Sequence, residues 1–217
     1  ASNFGLDNQY GNFFSIGLGW NIHKEDFFKT DVFNQLKLRA SYGSVGNRPS
    51  SLYPYQGTYR VNTQYIGIPG AILNQFGNPD LGWEKSYEAN LALDTRILDV
   101  VNLTVEYYNK DTSDLLYFVS LPDLTGFRGF WENVGGLTNK GFEASLSADI
   151  VTKPDFDFNV GFNIGINKNE ITELFDEQEE IPVGAKIFKI GEDANTWYIR
   201  KWLGVDSDNG QPLWEVV

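Results

Sequence analysis

From residue 156 to 167 every second position is apolar: Phe156, Phe158, Val160, Phe162, Ile164 and Ile166 alternate with Asp157, Asn159, Gly161, Asn163, Gly165 and Asn167. Side chains alternate across a strand with a period of two, so this stretch predicts a strand with one greasy and one wet surface. Five more stretches repeat the pattern. Phe14, Ile16, Leu18, Trp20 and Ile22 alternate with Ser15, Gly17, Gly19 and Asn21. Leu36, Leu38, Ala40 and Tyr42 alternate with Lys37, Arg39, Ser41 and Gly43. Residues 81 to 94 set Leu81, Trp83, Tyr87, Ala89, Leu91 and Leu93 against Glu84, Ser86, Glu88, Asn90 and Asp94. Leu103, Val105 and Tyr107 oppose Asn102, Thr104 and Glu106, and Phe142 to Ile150 alternates with Glu143, Ser145, Ser147 and Asp149. All eight prolines fall outside these six stretches, as expected where a proline would remove a ladder hydrogen bond.

The connections alternate in length. Short turns are expected near Thr95 to Val100 and Thr152 to Asp155, with a moderate link from His23 to Gln35. Long, irregular loops are expected over Ser44 to Asp80, over Pro122 to Asn133 and after Lys168. Short turns at one end of a sheet and long loops at the other are the layout of an up-and-down membrane barrel, whereas soluble sandwiches mix their connections by Greek-key crossings. Each stretch reaches or approaches the roughly 9–11 residues a spanning strand needs. Trp20, Tyr42, Trp83, Tyr87, Tyr107, Tyr108, Tyr117 and Phe118 gather at strand ends. There their rings suit the headgroup level of a bilayer, or serve as ordinary core and cross-strand aromatics. The polar side carries Lys37, Arg39, Glu84, Glu88, Asn90, Glu106 and Glu143. Such charges are too costly for a dry core. They fit a hydrated lumen, or the solvated face of a soluble antiparallel sheet.

Composition narrows the chemistry. The chain has 217 residues, no cysteine and one histidine, His23, which removes disulfides, thiolate sites and paired-histidine zinc motifs. A formal net charge of -12 opposes nucleic-acid binding. Glu84 and Glu88, four apart on one strand face, lie roughly 13 Å apart, beyond glycosidase spacing, and no G-x-S-x-G elbow is present. No enzyme activity and no cofactor are expected. Asp206 to Gly210 resembles a calcium loop only loosely, and Asn209-Gly210 fits a tight hairpin turn better. The acidic run Glu173 to Glu180 reads as a solvated loop, and the glycosylation sequon at Asn102 as coincidence. The chain starts at Ala1 and stops within what reads as another strand, so a larger polypeptide is expected.

Four segments in order, "LKLRASYGSVGN" (36 to 47), "NPDLGWEKSYEANLALD" (78 to 94), "VEYYNKDTSDLLYFVSLP" (105 to 122) and "ENVGGLTNKGFEASLSADI" (132 to 150), resemble the barrel of SusC/RagA-family TonB-linked outer-membrane proteins. The resemblance covers essentially the whole chain. It implies an all-β fold: about six antiparallel strands, in an up-and-down meander with long extracellular loops, cut from a transmembrane barrel of about 22 strands closed around a plug. On that resemblance residues 1 to 217 form a partial barrel, with the plug, the TonB-contacting box and the final strands outside it. It further implies the outer membrane as location, contact with lipid, a SusD-like surface lipoprotein as partner, TonB as energy source through the N-terminal part, and a glycan or peptide as ligand. Lys37, Arg39, Glu84, Glu88, Asn90, Glu106 and Glu143 become lumen-facing wall residues, and Tyr53, Tyr55, Tyr59, Tyr65, Trp131 and Trp197 candidate loop contacts for ligand. A soluble carbohydrate-binding β-domain and a passive porin-like channel remain the alternatives.

Overall fold

The computed structural model describes residues 3–215, and the side chains of Tyr65, Asp123 and Glu177 lie outside what it describes. In chain order the strands are β1 (Ser15–Asn21), β2 (Phe33–Asn47), β3 (Thr58–Tyr65), β4 (Ile68–Gln75), β5 (Glu84–Ile97), β6 (Val101–Ser113) and β7 (Leu116–Ser120). They continue with β8 (Gly129–Asn133), β9 (Gly136–Lys153), β10 (Phe156–Glu173), β11 (Glu180–Val183), β12 (Lys186–Lys189), β13 (Trp202–Val205) and β14 (Pro212–Trp214). One six-stranded sheet, ordered β1-β2-β5-β6-β9-β10, carries the six alternating stretches. Every pairing in it is antiparallel between sheet neighbours, which is the expected meander.

Register converts alternation into two continuous surfaces. Ile16 faces Tyr42, Tyr42 faces Ala89, Leu91 faces Tyr107, Tyr107 faces Phe142 and Phe142 faces Ile166. These side chains form a bare apolar band, with Leu18 72% and Phe162 60% exposed. A sandwich would cover one such face with a second sheet; among the described residues nothing does. The buried apolar residues among those described, such as Phe4, Leu81 and Ile187, are scattered outside the band.

Short connections gather at one end. At the β5–β6 turn the Val100 N–H donates to the Ile97 carbonyl at 3.0 Å, with Leu98 and Asp99 both at positive φ, as primed hairpin turns require. Asn34 clamps it, accepting from the Asp99 N–H and donating to the Asp99 carboxylate, each at 2.7 Å. The β9–β10 hairpin closes through Pro154 and Asp155. His23 lies in the β1–β2 link, where its Nδ1 accepts from the Leu36 N–H at 3.2 Å.

Several expectations are corrected. The long loops are not irregular: they fold into four two-stranded ribbons, β3–β4, β7–β8, β11–β12 and β13–β14. Three prolines, Pro69, Pro182 and Pro212, lie inside ribbon strands, where an unpaired edge tolerates the missing N–H. β5 begins at Glu84, so Leu81 and Trp83 precede it. Leu81 is fully buried, and the Trp83 ring packs 4.9 Å from Phe4 and 5.6 Å from Phe13 instead of meeting lipid. Tyr117 and Phe118 belong to β7, away from the main sheet. The turn after β13 is a wide loop, not a two-residue one. Asp206 accepts from the Asp208 N–H and from Asn209 Nδ2, each at 2.9 Å, and the Gly210 N–H donates to its carbonyl.

Candidate lumenal wall and loop surface

The face opposite the apolar band is assembled by the same register. Arg39 stands opposite Ala92, and Ala92 opposite Glu106. The Arg39 guanidinium reaches across this alanine to Asp94, with Nε 2.6 Å from Oδ2 and Nη2 3.1 Å from Oδ1. Its Nη2 also lies 3.7 Å from Glu106 Oε2, while Thr104 Oγ1 donates to Asp94 Oδ1 at 3.2 Å. Only a small side chain leaves room beneath this fork, and Ala92 is 3% exposed. Nearer the long loops, Asn90 Nδ2 donates to Ser41 Oγ at 3.3 Å and to Glu88 Oε1 at 3.1 Å.

Glu106 directly opposes Glu143 on β9. Like charges facing each other in a sheet are unfavourable, and Arg39 offsets one of them. Lys37 pairs in register with Asn21 and Asp94. Glu84 does another job. At the loop end of β5 its Oε1 accepts from Asn47 Nδ2 at 3.2 Å and its Oε2 from the Leu116 N–H at 3.3 Å, tying β2, β5 and the root of β7 together. Higher on β10, past the apolar band, the hydrogen bond and charge of Lys168 hold the Glu170 carboxyl below its ordinary range, with Nζ 2.7 Å from Oε2.

Two participants were not among the expected site residues. Asp94 is the strongest partner of Arg39, and Tyr108 lies on the wet face over Gly141, donating from Oη to Asn167 Oδ1 at 3.0 Å. Parity alone carries the signal for both: Asp94 and Tyr108 are in step with Asn90 and Glu106.

The loop aromatics do not form one cluster in the fold. Tyr53 is exposed and at positive φ, while the half-buried Tyr55 accepts from Gln56 Nε2 at 2.9 Å. Tyr59 on β3 is exposed, and the side chain of Tyr65 lies outside the described residues. Trp131 on β8 packs edge-on against Phe118 at 5.6 Å. Trp197 is 68% exposed beneath Lys186 Nζ, 5.8 Å from its ring centre. Among the described residues no group of three or more histidines and acids is arranged to hold a metal.

A long antiparallel meander, bare and apolar on one face and charged on the other, with its ribbons at one end, is barrel wall. Residues 2–203 match the family described as TonB dependent receptor-like, beta-barrel, and the chain belongs to that family. It is 37% identical over 207 residues to TonB-dependent receptor P39 of Formosa agariphila, covering 94% of this chain and 20% of that protein. With TonB-dependent receptor SusC of Bacteroides thetaiotaomicron it shares 32% identity, over 98% of this chain and 23% of SusC. Both genera are Bacteroidota. The fold superposes on the RagAB peptide importer in its closed-closed state with a TM-score of 0.90 and 30% identity, over 99% of this chain and 24% of that one. For the open-open state the TM-score is 0.86. The chain thus spans roughly a fifth to a quarter of the proteins it matches. The family is one of transporters and receptors, not of enzymes.

Proposed function

We propose that residues 1 to 217 form barrel wall and extracellular loops of an outer-membrane, TonB-dependent nutrient importer working with a SusD-like lipoprotein. The observation that carries this reading is the bare apolar band lying back to back with a polar face across all six wall strands, charged on the inner ones. Lipid covers the first; plug, water and passing solute meet the second. Lys37, Arg39, Glu88, Asn90, Glu106 and Glu143 line the path, with Glu84 at its loop end. The mechanism is gated passage without covalent chemistry. Ligand, a glycan or peptide, binds loops and plug; TonB, acting on the remainder of the polypeptide, displaces the plug; and the wall offers polar partners along a hydrated route. The RagAB superposition and the SusC relationship support the lipoprotein partner and an oligomeric ligand.

The test uses single cysteines along β5 of the full-length protein in outer membranes. Cysteines at Glu88 and Asn90 are expected to react with a charged, membrane-impermeant maleimide. Those at Ala89, Leu91 and Leu93 are expected to resist it and to react with an apolar, lipid-dissolved reagent. Uniform reactivity along the strand overturns the assignment of faces.

A further inference from the structure

The outer edge of β10 is not open along its whole length. The Ile171 N–H donates to the Glu192 carbonyl at 2.9 Å, and the Ile171 carbonyl accepts from the Gly191 N–H at 2.8 Å. Such a two-way exchange is an antiparallel ladder step, and the partner is the segment that leaves β12 after Lys189. Asn169 reinforces it. Its Oδ1 accepts from the Ala194 N–H at 3.0 Å, while its Nδ2 donates to Asn139 Oδ1 on β9 at 2.7 Å. Gly191 has a φ of 85°, which lets the chain turn across the edge without steric cost.

In an antiparallel strand the N–H and C=O of one residue point to the same side, and that side alternates along the chain. Ile171 points outward. The β9–β10 register runs without a shift from Asn159 to Ile171, so Gly161, Asn163, Gly165, Asn167 and Asn169 point outward as well. β10 is an edge strand of the sheet, and backbone groups at membrane depth have to be paired. The opposite edge gives out at the same level. Ser15, Gly43, Glu88, Lys110, Asn139 and Asn169 lie opposite one another in turn, in one row across all six strands. β1 begins on this row, whereas β2, β5, β6 and β9 run past it toward the loops. From this geometry we infer that a further antiparallel strand of the barrel, supplied by the rest of the polypeptide, pairs with β10 as far as Asn169 and stops there. The Gly191–Glu192 segment holds the next ladder position, so the incoming strand ends at that row and the β11–β12 ribbon stays tied to the rim. Closure strand by strand follows from the family; the stop rests on that barrel reading and goes beyond it.

Amide hydrogen exchange of the full-length protein in detergent, read residue by residue by mass spectrometry, tests it. In the wild type the amides of Gly161, Asn163, Gly165 and Asn167 are expected to exchange slowly, and so is that of Ile171. Gly191→Pro removes the N–H given to Ile171 and cannot adopt a positive φ. It is expected to speed exchange at Ile171 roughly tenfold, the effect of losing about one backbone hydrogen bond, and to leave Gly161 to Asn167 unchanged. Unaltered slow exchange at Ile171 in this variant shows that the incoming strand covers it, which overturns the stop. Loosening of Asn163 to Asn167 together with Ile171 overturns it too, since one ladder then runs through both. Where Gly191→Pro does not reach the membrane, Gly191→Ala, strained at the same φ but keeping its N–H, is expected to give a smaller rise confined to Ile171, and no rise there counts against the stop. The two readings fail differently. Fast exchange at Gly161 to Asn167 in protein recovered from outer membranes defeats the barrel wall, whereas slow exchange there with Ile171 indifferent to Gly191 defeats the stop alone.

Discussion

At the scale of single residues, parity told which side of the sheet a residue occupies but not whom it meets. Glu88, Asn90, Asp94 and Glu106 share a side because they are in step along their strands. That Arg39 bridges Asp94 and Glu106 depends on how β2, β5 and β6 slide past one another, and loops set that slide. Gly141 is a sharper case, for in the sequence it is one of 22 glycines. In the fold a Cβ there would stand 2.5 Å from Tyr108 Oη and 2.6 Å from the Ile166 carbonyl oxygen. The phenol could swing aside, but the neighbouring backbone could not. Gly141→Ala is therefore expected to destabilise the full-length barrel by roughly 1–3 kcal/mol, the usual effect of overpacking. Tyr108→Phe, losing only one hydrogen bond, is expected to cost about 0.5–1.5 kcal/mol. The temperature at which the folded, fast-migrating band converts to the unfolded one on gels measures both. If Gly141→Ala is no worse than Tyr108→Phe, the close approach does not matter.

At the scale of elements, strict alternation located all six wall strands, because a surface with lipid on one side and water on the other imposes a period of two at every step. Where that constraint ends, so did legibility. β9 and β10 run for 18 residues each, well past the apolar band, and their outer thirds lack the pattern. The loop ribbons were missed since nothing forces their faces to differ, and their prolines pointed away from strands. Leu81 and Trp83 erred the other way: they continue the alternation of β5 by coincidence, and the loop uses them as packing. The apolar face itself can be challenged directly. Leu91 lies in the band between Ala40 on β2 and Tyr107 on β6 and is 51% exposed, so Leu91→Arg places charge against acyl chains at roughly 2–4 kcal/mol near the midplane. Outer-membrane yield of full-length protein should fall sharply. Glu88→Gln, one strand face away, should insert at the wild-type level. Equal tolerance of the two changes would mean that neither face meets lipid.

At the scale of the whole molecule, the six-stranded sheet has two bare edges. β1 pairs only with β2 and β10 only with β9 within the main sheet, so long rows of N–H and C=O groups lack ladder partners. Such edges template pairing with other chains, and the apolar band has no cover of its own. Closure around a filled interior takes about eight strands even in the smallest barrels, so this sheet cannot close on itself. The 217-residue chain expressed alone is thus expected to aggregate in water. In detergent micelles it should regain strand signal in far-UV circular dichroism, yet elute from size exclusion as a broad distribution, because detergent covers the band but not the edges. A single sharp monomer in detergent would show that β1 and β10 find partners within this chain. A monodisperse monomer without detergent, unfolding cooperatively, would go further and show that the band is buried against protein. That outcome would return the soluble β-domain to first place, whatever the charged face resembles, since a barrel wall taken from its bilayer has nothing else with which to cover Leu18, Leu91 and Phe162.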